Sequence, residues 1–316
     1  MLNALQTAAR LPWAGLVDEI AALLADTSVQ IPPRLVQPLG HLSGQDGSLF
    51  VMPAIDSHIA ITKLITFTPA NAGTTRPTIQ GDVIVFDIAT GQRRLVLDGP
   101  TVTARRTAAV SVLAAKKLAH DSQAPLLIVG AGVQGKAHLD AFAAVLGTRQ
   151  VMIASRSAES AHKLVQHAMS LGLQAQVVAD ANAALASCPL VVTCTPASSI
   201  VLGATPRPDA FISAVGAFTP SMAELSRSLC QHVAKYGTVW LDTPDARHEA
   251  GDFLQAGLNL LDMPTLGDAV RHDTGKPFGP VLFKSCGWAG WDLAAARLAL
   301  RASPKLTKLT KLTELA

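Results

Sequence analysis

The chain has 316 residues, of which 49% are hydrophobic and 16% charged, and its formal net charge is +3. That length exceeds a usual single domain and the apolar content can fill a sizeable core, so a globular protein of two domains is expected. The basic residues are scattered rather than striped, which argues against nucleic acid as a partner and for a small metabolite.

The N-terminal stretch MLNALQTAARLPWAGLVDEI lacks a basic segment followed by an unbroken apolar run, and no run of about 18 apolar residues occurs anywhere, so no membrane span is expected and the cytoplasm is the expected compartment. Residues 1 to about 30 read as helical, with apolar positions at Leu16, Ile20, Leu23 and Leu24. From Pro32 to Leu97 come short β-rich runs, RLVQPL, SLFVMPA, AITKLITF, DVIVFDI and RRLVLDG, separated by Gly, Pro, Asn and Asp. That spelling predicts an antiparallel sheet with turns, DIATGQ being a hairpin. Lys63 lies in the third run among apolar neighbours, and a charge on a mostly apolar strand needs a partner.

An Ala-rich helix free of Gly and Pro is predicted from Thr103 to about His120. It opens with Arg105 and Arg106 side by side, which either point the first turn at water or face an anion. After it strands and helices alternate: PLLIVGAG, a helix from about Gln134, QVMIAS, a helix over residues 158–170, QAQVVA, LVVTCT, AFISAVGA and TVWLD. Alternation with near-continuous apolar strands means a parallel, doubly wound sheet. The expected fold is therefore α/β: a Rossmann domain over residues 120–289, and an α+β domain with a β-rich sheet over residues 1–119. The final helix, GWDLAAARLALRA, would return to the first domain, giving it residues 290–316 as well. Cys188, Cys194, Cys230 and Cys286 show no CxxC pair and no metal-ligand spacing, so reduced thiols and no metal are expected. The terminal KLTKLTKLTELA has a period of neither helix nor strand and is expected to be disordered.

In LLIVGAGVQGKAHL the glycines Gly130, Gly132 and Gly135 satisfy GxGxxG, with an apolar strand before and a helix after. Gly130 makes the tight turn, Gly132 lets the backbone approach a pyrophosphate and Gly135 allows close helix–strand packing. Val133 and Gln134 between them, and Thr195 and Val215 in the later strands, are placed against the same dinucleotide. The end of the second strand, where an NAD-binding protein carries an acid for the ribose hydroxyls, holds Ser155, Arg156 and Ser157 instead. A guanidinium and two hydroxyls suit a 2′-phosphate, so NADPH is preferred and NADH is the less favoured carrier. A stack of Arg156 on adenine, or its exposure to solvent, is the competing explanation.

The segments DGPTVTARRTAAVSVLAAKKLA, IVGAGVQG, AVGAFTPSMAELS and VLFKSCGWAGWDLAAARL, in this order and spread over residues 33–298, resemble the ornithine cyclodeaminase/mu-crystallin family. The resemblance implies a homodimer with an N-terminal substrate and dimerisation domain completed by the C-terminal helix. It also implies a pocket for small amino or imino acids, with Arg34 of the P-x-R segment, Lys63 of the TK strand and Arg106 of RTAA as substrate contacts, Lys63 and Arg106 being the catalytic pair. Thr78 in RPTIQG and Ser285 in FKSCG match segments that the family uses near the cofactor. A carboxylate buried beside nicotinamide needs paired positive charge and the fixed fork of Arg, so Arg106 is expected to face the anion and Arg105 to face out.

Cyclodeaminases of this family resemble G-G-D-x-P-G-K-x-E-L where this chain has VGAFTPSMAEL, and the aspartate position falls on Phe218. A phenyl ring neither accepts a proton nor holds an ammonium by charge, so ornithine cyclodeamination is disfavoured. Of the activities that the resemblance implies, the expected one is NADPH-dependent reduction of cyclic ketimine acids, 1-pyrroline-2-carboxylate to L-proline and 1-piperideine-2-carboxylate to L-pipecolate. An alanine-dehydrogenase-like enzyme using ammonia, and a non-catalytic ligand-binding protein of mu-crystallin type, are the alternatives.

Overall fold

The structure, a computed structural model, describes residues 1–40, 47–71, 74–196, 199–272 and 275–302. The KLT tail lies outside them. The expected helical N-terminus is two helices, α1 (Ala4–Ala9) and α2 (Trp13–Ala25). Pro12 stands between them as the residue before α2, and its missing N–H cannot continue a helical ladder.

All five β-rich runs form one antiparallel sheet in chain order: β1 (Leu35–Pro38), β2 (Ser48–Ile55), β3 (Ile59–Phe67), β4 (Ile79–Asp87) and β5 (Arg93–Asp98). In the DIATGQ hairpin the Asp87 carboxylate accepts from Thr90 N at 3.0 Å and Thr90 Oγ1 at 2.9 Å, and Gly91 takes φ +70°.

The long helix α3 runs over Gly99–Leu118, so it starts before the predicted Thr103. Asp98 caps it, accepting from Thr101 N at 2.8 Å, and Pro100 sits in the first turn, where its missing N–H is no loss. Ala108 to Ala115 are all buried: α3 is an internal strut between the two sheets rather than a surface helix.

The second sheet has seven parallel strands in the order β11-β12-β10-β9-β6-β7-β8. They are β6 (Leu126–Val129), β7 (Gln150–Ala154), β8 (Gln174–Val177), β9 (Leu190–Thr193), β10 (Phe211–Ala214), β11 (Thr238–Leu241) and β12 (Val281–Lys284). Crossover helices include α4 (Val133–Ala141), α5 (Ala158–Ser170), α6 (Ala181–Leu185), α7 (Arg227–Tyr236), α8 (Gly251–Gln255) and α9 (Leu266–Arg271). The fold is α/β, a doubly wound Rossmann sheet joined to the antiparallel sheet. Strand β12 is absent from the sequence expectations; it inserts between β10 and β11, and its four residues are all buried.

The last helix, α10 (Ala289–Arg301), returns from β12 to pack on α2, α3, β2 and β3. Arg297 fixes it there, its Nε donating to Asp56 Oδ2 at 2.6 Å and its Nη2 to Asp26 Oδ2 at 2.7 Å. Among the described residues no helix is long and apolar enough to cross a membrane.

Candidate active site

The order of the parallel sheet reverses between β6 and β9, and at such a point the carboxyl ends of the strands open a crevice for a ligand. The three fingerprint glycines have different needs there. Gly130 has φ +114°, and a Cβ on it would stand 2.8 Å from the Cys194 carbonyl; a Cβ on Gly135 would stand 2.0 Å from the Gly130 carbonyl. A Cβ on Gly132 would meet nothing within 4 Å, and its φ of −87° is ordinary. The space in front of Gly132 is therefore open, and it faces the first turn of α4, which no side chain caps. Val133 beside it is 73% exposed, high for an apolar residue with a structural role. Uncapped N–H groups beside open space suit a pyrophosphate, so these residues fit a dinucleotide. Ser155, Arg156 and Ser157 follow β7, with Arg156 exposed and Ser157 capping α5 by accepting from Ser160 N at 3.2 Å.

The strand ends on the other side of the crevice are tied by a buried carboxylate. Glu224 Oε1 accepts from Thr195 N at 2.7 Å and Thr195 Oγ1 at 2.9 Å, while Oε2 accepts from Gly216 N at 2.6 Å and Thr193 Oγ1 at 3.0 Å. Val215 is half-buried between the Thr193 and Gly216 ties. Asp252 Oδ1 in turn accepts from Glu224 N and Leu225 N, at 2.6 and 2.9 Å, and its Oδ2 lies 2.6 Å from Lys284 Nζ. Burial pushes the Glu224 carboxyl above its ordinary range, opposed by the charge of Lys284. A second polar chain joins three elements in the core: Ser213 Oγ lies 2.9 Å from Ser111 Oγ, and Ser111 Oγ 2.9 Å from His138 Nε2. His138 Nδ1 donates to the Gln134 carbonyl at 2.7 Å, and burial holds its ring neutral, with the pKa lowered to about 4.

Facing the crevice from α3 and the antiparallel sheet is a cluster of cations. Lys63 on β3 is 1% exposed, with Nζ 2.8 Å from Asp292 Oδ2 of α10; Arg106 Nε stands 3.3 Å from Asp292 Oδ1. Burial lowers the Lys63 pKa to about 8; Asp292 opposes this, while Arg106 and Arg34 add to it, so the three predicted cations share one field. Arg34 Nη2 is 2.7 Å from Glu249 Oε1. Asp242, just beyond β11, gathers the loop after β12: its Oδ2 accepts from Ser285 Oγ at 2.9 Å, Cys286 N at 3.0 Å and Gly287 N at 3.1 Å. Burial raises the Asp242 carboxyl pKa, against those hydrogen bonds and the charge of Arg106. Ser285 is therefore turned to Asp242. Phe218 lies edge-on to Phe67 at 6.1 Å between ring centres, bringing the loop after β10 against the end of β3. Thr78 sits at that end too, its carbonyl accepting from Thr68 N at 2.8 Å.

Arg105 does not face out. Its Nε donates to the Leu11 carbonyl at 2.8 Å and its guanidinium lies 3.8 Å from the centre of the Trp13 ring, so it fastens α3 to the N-terminal helices. Asp292, Asp242, Glu249, Glu224, Lys284 and Gly287 went unnoticed in the sequence. A signal existed for Lys284 and Asp292, since VLFKSCG and GWDLAAA each place one charge in an apolar run.

The family model described as the ornithine cyclodeaminase/mu-crystallin family matches residues 6–301. The chain belongs to that family. Within it, the Delta(1)-pyrroline-2-carboxylate reductase 1 of Burkholderia multivorans is 36% identical over 307 residues, covering 95% of this chain and 94% of the relative. A Delta(1)-pyrroline-2-carboxylate/Delta(1)-piperideine-2-carboxylate reductase of Azospirillum brasilense is 34% identical over 307 residues, with 95% and 94% covered. Among solved structures, the Thermococcus litoralis Delta(1)-pyrroline-2-carboxylate reductase in complex with NADH and L-proline superposes with a TM-score of 0.84, at 21% identity and 94% coverage of each chain. That likeness shows the fold.

Proposed function

We propose that the chain is an NADPH-dependent reductase of cyclic ketimine acids, converting 1-pyrroline-2-carboxylate to L-proline and 1-piperideine-2-carboxylate to L-pipecolate. The observation that carries this is the pairing of buried Lys63 and Arg106 at a Rossmann crevice with Phe218, not a carboxylate, on the opposite loop. Cations there hold a small acid, and a phenyl ring leaves no base for attack by an internal amine. Relatives named for this reaction, 36% and 34% identical over nearly the whole chain, support it.

Arg106, with Arg34 beside it, grips the carboxylate of the substrate and so fixes the plane of the C=N bond. Bound reduced nicotinamide supplies the hydride that the imine carbon receives. Lys63 stays charged at neutral pH beside Asp292 and would repel an iminium, so it meets the carboxylate end or relays a proton rather than touching the ring nitrogen. Phe218 and Phe67 offer an apolar wall to the methylenes of the ring.

Arg156 is assigned to the 2′-phosphate that distinguishes NADPH from NADH, being exposed at the end of β7 with no carboxylate beside it in sequence. Thr78, Thr195, Val215 and Ser285 line or support the cofactor side. Residues 1–119 with the returning α10 are the substrate and dimerisation domain, and residues 120–289 the nucleotide domain. Leu35 and Val36 of edge strand β1, with Leu64 of β3, are 57, 40 and 42% exposed, which supports a homodimer through this sheet. Four unpaired thiols agree with a cytoplasmic setting.

The test is oxidation of NADPH with each cyclic imine, repeated with NADH, with pyruvate plus ammonia, and with ornithine plus NAD. Turnover is expected with one or both imines, faster with NADPH. Ammonia release from ornithine, or oxidation with pyruvate and ammonia alone, would overturn the assignment.

A further inference from the structure

Three carboxylates surround the cation cluster, and they are not alike. Asp292 is 0% and Asp242 1% exposed, and each is committed, to Lys63 and Arg106 or to the loop of residues 285–287. The Glu249 side chain is 23% exposed and the Arg34 side chain 18%, so this pair can meet both water and a ligand. Glu249 follows the turn Pro244–His248 after β11, and the next turn is clamped to the loop after β10: a Cβ on Gly251 would stand 2.1 Å from the Met222 carbonyl and 2.4 Å from the Thr219 carbonyl. The Glu249 segment thus lies against the loop that carries Phe218, on the reacting side of the crevice.

Glu249 holds the Arg34 guanidinium as a substrate carboxylate would. From this we infer, resting on the reductase function above, that Glu249 yields Arg34 to the carboxylate of the incoming ketimine acid and, as a carboxylic acid, donates the proton that the ring nitrogen needs. The step balances: the Oε–H bond of Glu249 breaks as the N–H bond forms, the C=N π bond opens, and hydride from the reduced nicotinamide makes the C–H bond. Product release returns the Glu249 carboxylate to Arg34, and water supplies the next proton. The charges facing Glu249 suit this cycle. Burial raises its pKa to about 7, Arg34 opposes that, and Asp242 and Asp245 reinforce it; the Cys286 thiol also lies in its field. A carboxyl with a pKa near working pH is suited to give and take a proton.

The test uses the NADPH-saturated protein and pyrrole-2-carboxylate, a planar acid that cannot be reduced. Its binding is followed by calorimetry at pH 8 in two buffers of different ionisation enthalpy. Wild type is expected to take up most of one proton more than E249Q, whose remaining uptake reports Lys63, partly charged at this pH. With the imines, kcat of E249Q should fall about 100-fold while KM stays level or drops, because the competitor for Arg34 has lost its charge. E249D, which keeps the acid on a shorter arm, should recover part of kcat. Equal proton uptake in wild type and E249Q, or a kcat in E249Q within about threefold of wild type, would overturn the assignment. Proton uptake in a wild type that oxidises NADPH with neither imine would instead overturn the reductase function and leave the exchange on Arg34 standing.

Discussion

Gly287 leaves open the space in which Arg106 lies. A Cβ built on it would stand 3.2 Å from Nη1 and 3.3 Å from Nη2, and the residue has φ +87°, a conformation that side chains disfavour. The same residue donates its N–H to Asp242. The loop after β12 is thus shaped around the guanidinium at the head of α3. Gly287→Ala should therefore push Arg106 aside: KM for the imine rises about tenfold, equivalent to about 1.4 kcal/mol, with nucleotide affinity unchanged. The backbone strain should cost about 1 kcal/mol in urea unfolding. An unchanged KM would show that Arg106 does not hold the substrate in this pose.

Asp292 is the counter-ion of two buried cations at once, Lys63 and Arg106. Removing its charge leaves both uncompensated, so Asp292→Asn should lose about 3–5 kcal/mol of stability, the usual effect of breaking a buried pair from one side. A pH effect accompanies it. Asp292 raises the Lys63 pKa, which burial and the other cations bring down to about 8, so without it Lys63 loses its proton at still lower pH. The alkaline fall of kcat/KM due to Lys63 should move downward in the variant. Urea titration at pH 7 and a pH profile of kcat/KM check the two effects separately.

The fingerprint glycines allow a sharper separation of fold from function. At Gly132 a methyl group meets only open space, whereas at Gly135 it would fall on the Gly130 carbonyl. Gly132→Ala should keep the wild-type Tm and weaken NADPH binding by about tenfold or more, since the added carbon stands where the pyrophosphate approaches. Gly135→Ala should lower Tm and weaken binding together. Differential scanning calorimetry with fluorescence titration of NADPH reads both quantities; a Tm loss at Gly132 with no change in binding would place the phosphates elsewhere.

Much of this arrangement was legible in the residues, and what was missed has a common cause. Periodicity gave the five antiparallel strands and most of the parallel ones because each is a short run whose burial follows its local pattern. Lys63 stood out because a cation in AITKLITF has to find a partner. The partner, Asp292, comes from 229 residues further on, and no local rule links the two. Glu249, Asp242 and Gly287 are likewise brought together by the return of the chain through β11 and β12, not by spacing. Strand β12 escaped because VLFK is too short to show a period and carries a lysine that reads as exposed until Asp252 and Glu224 are seen around it. Arg105 differs from its expectation for a related reason: helical azimuth sets it apart from Arg106, yet that side of α3 is covered by Trp13 and Leu11.

The return of α10 to the first sheet is itself electrostatic at one point, and acid should expose that. Arg297 donates to Asp26 and to Asp56. Hydrogen bonds from Ser28, then Arg297, lower the Asp26 pKa to about 2; burial works against Asp56, yet the N–H groups of Ile59 and His58 and the charge of Arg297 still hold it below its ordinary value. Carboxylates with depressed folded pKa values contribute stability that is present above the unfolded value, near 4, and is lost as pH falls through the folded one. Arg297→Met should therefore lower unfolding free energy by about 1–3 kcal/mol at pH 7, the range for charged hydrogen bonds that are partly open to solvent. Between pH 4 and pH 2 the gap between variant and wild type should close, because a protonated Asp26 or Asp56 no longer attracts the guanidinium. Chemical denaturation across that range decides the matter: a gap that stayed constant would mean that the stem of Arg297 fastens the helix rather than its charge.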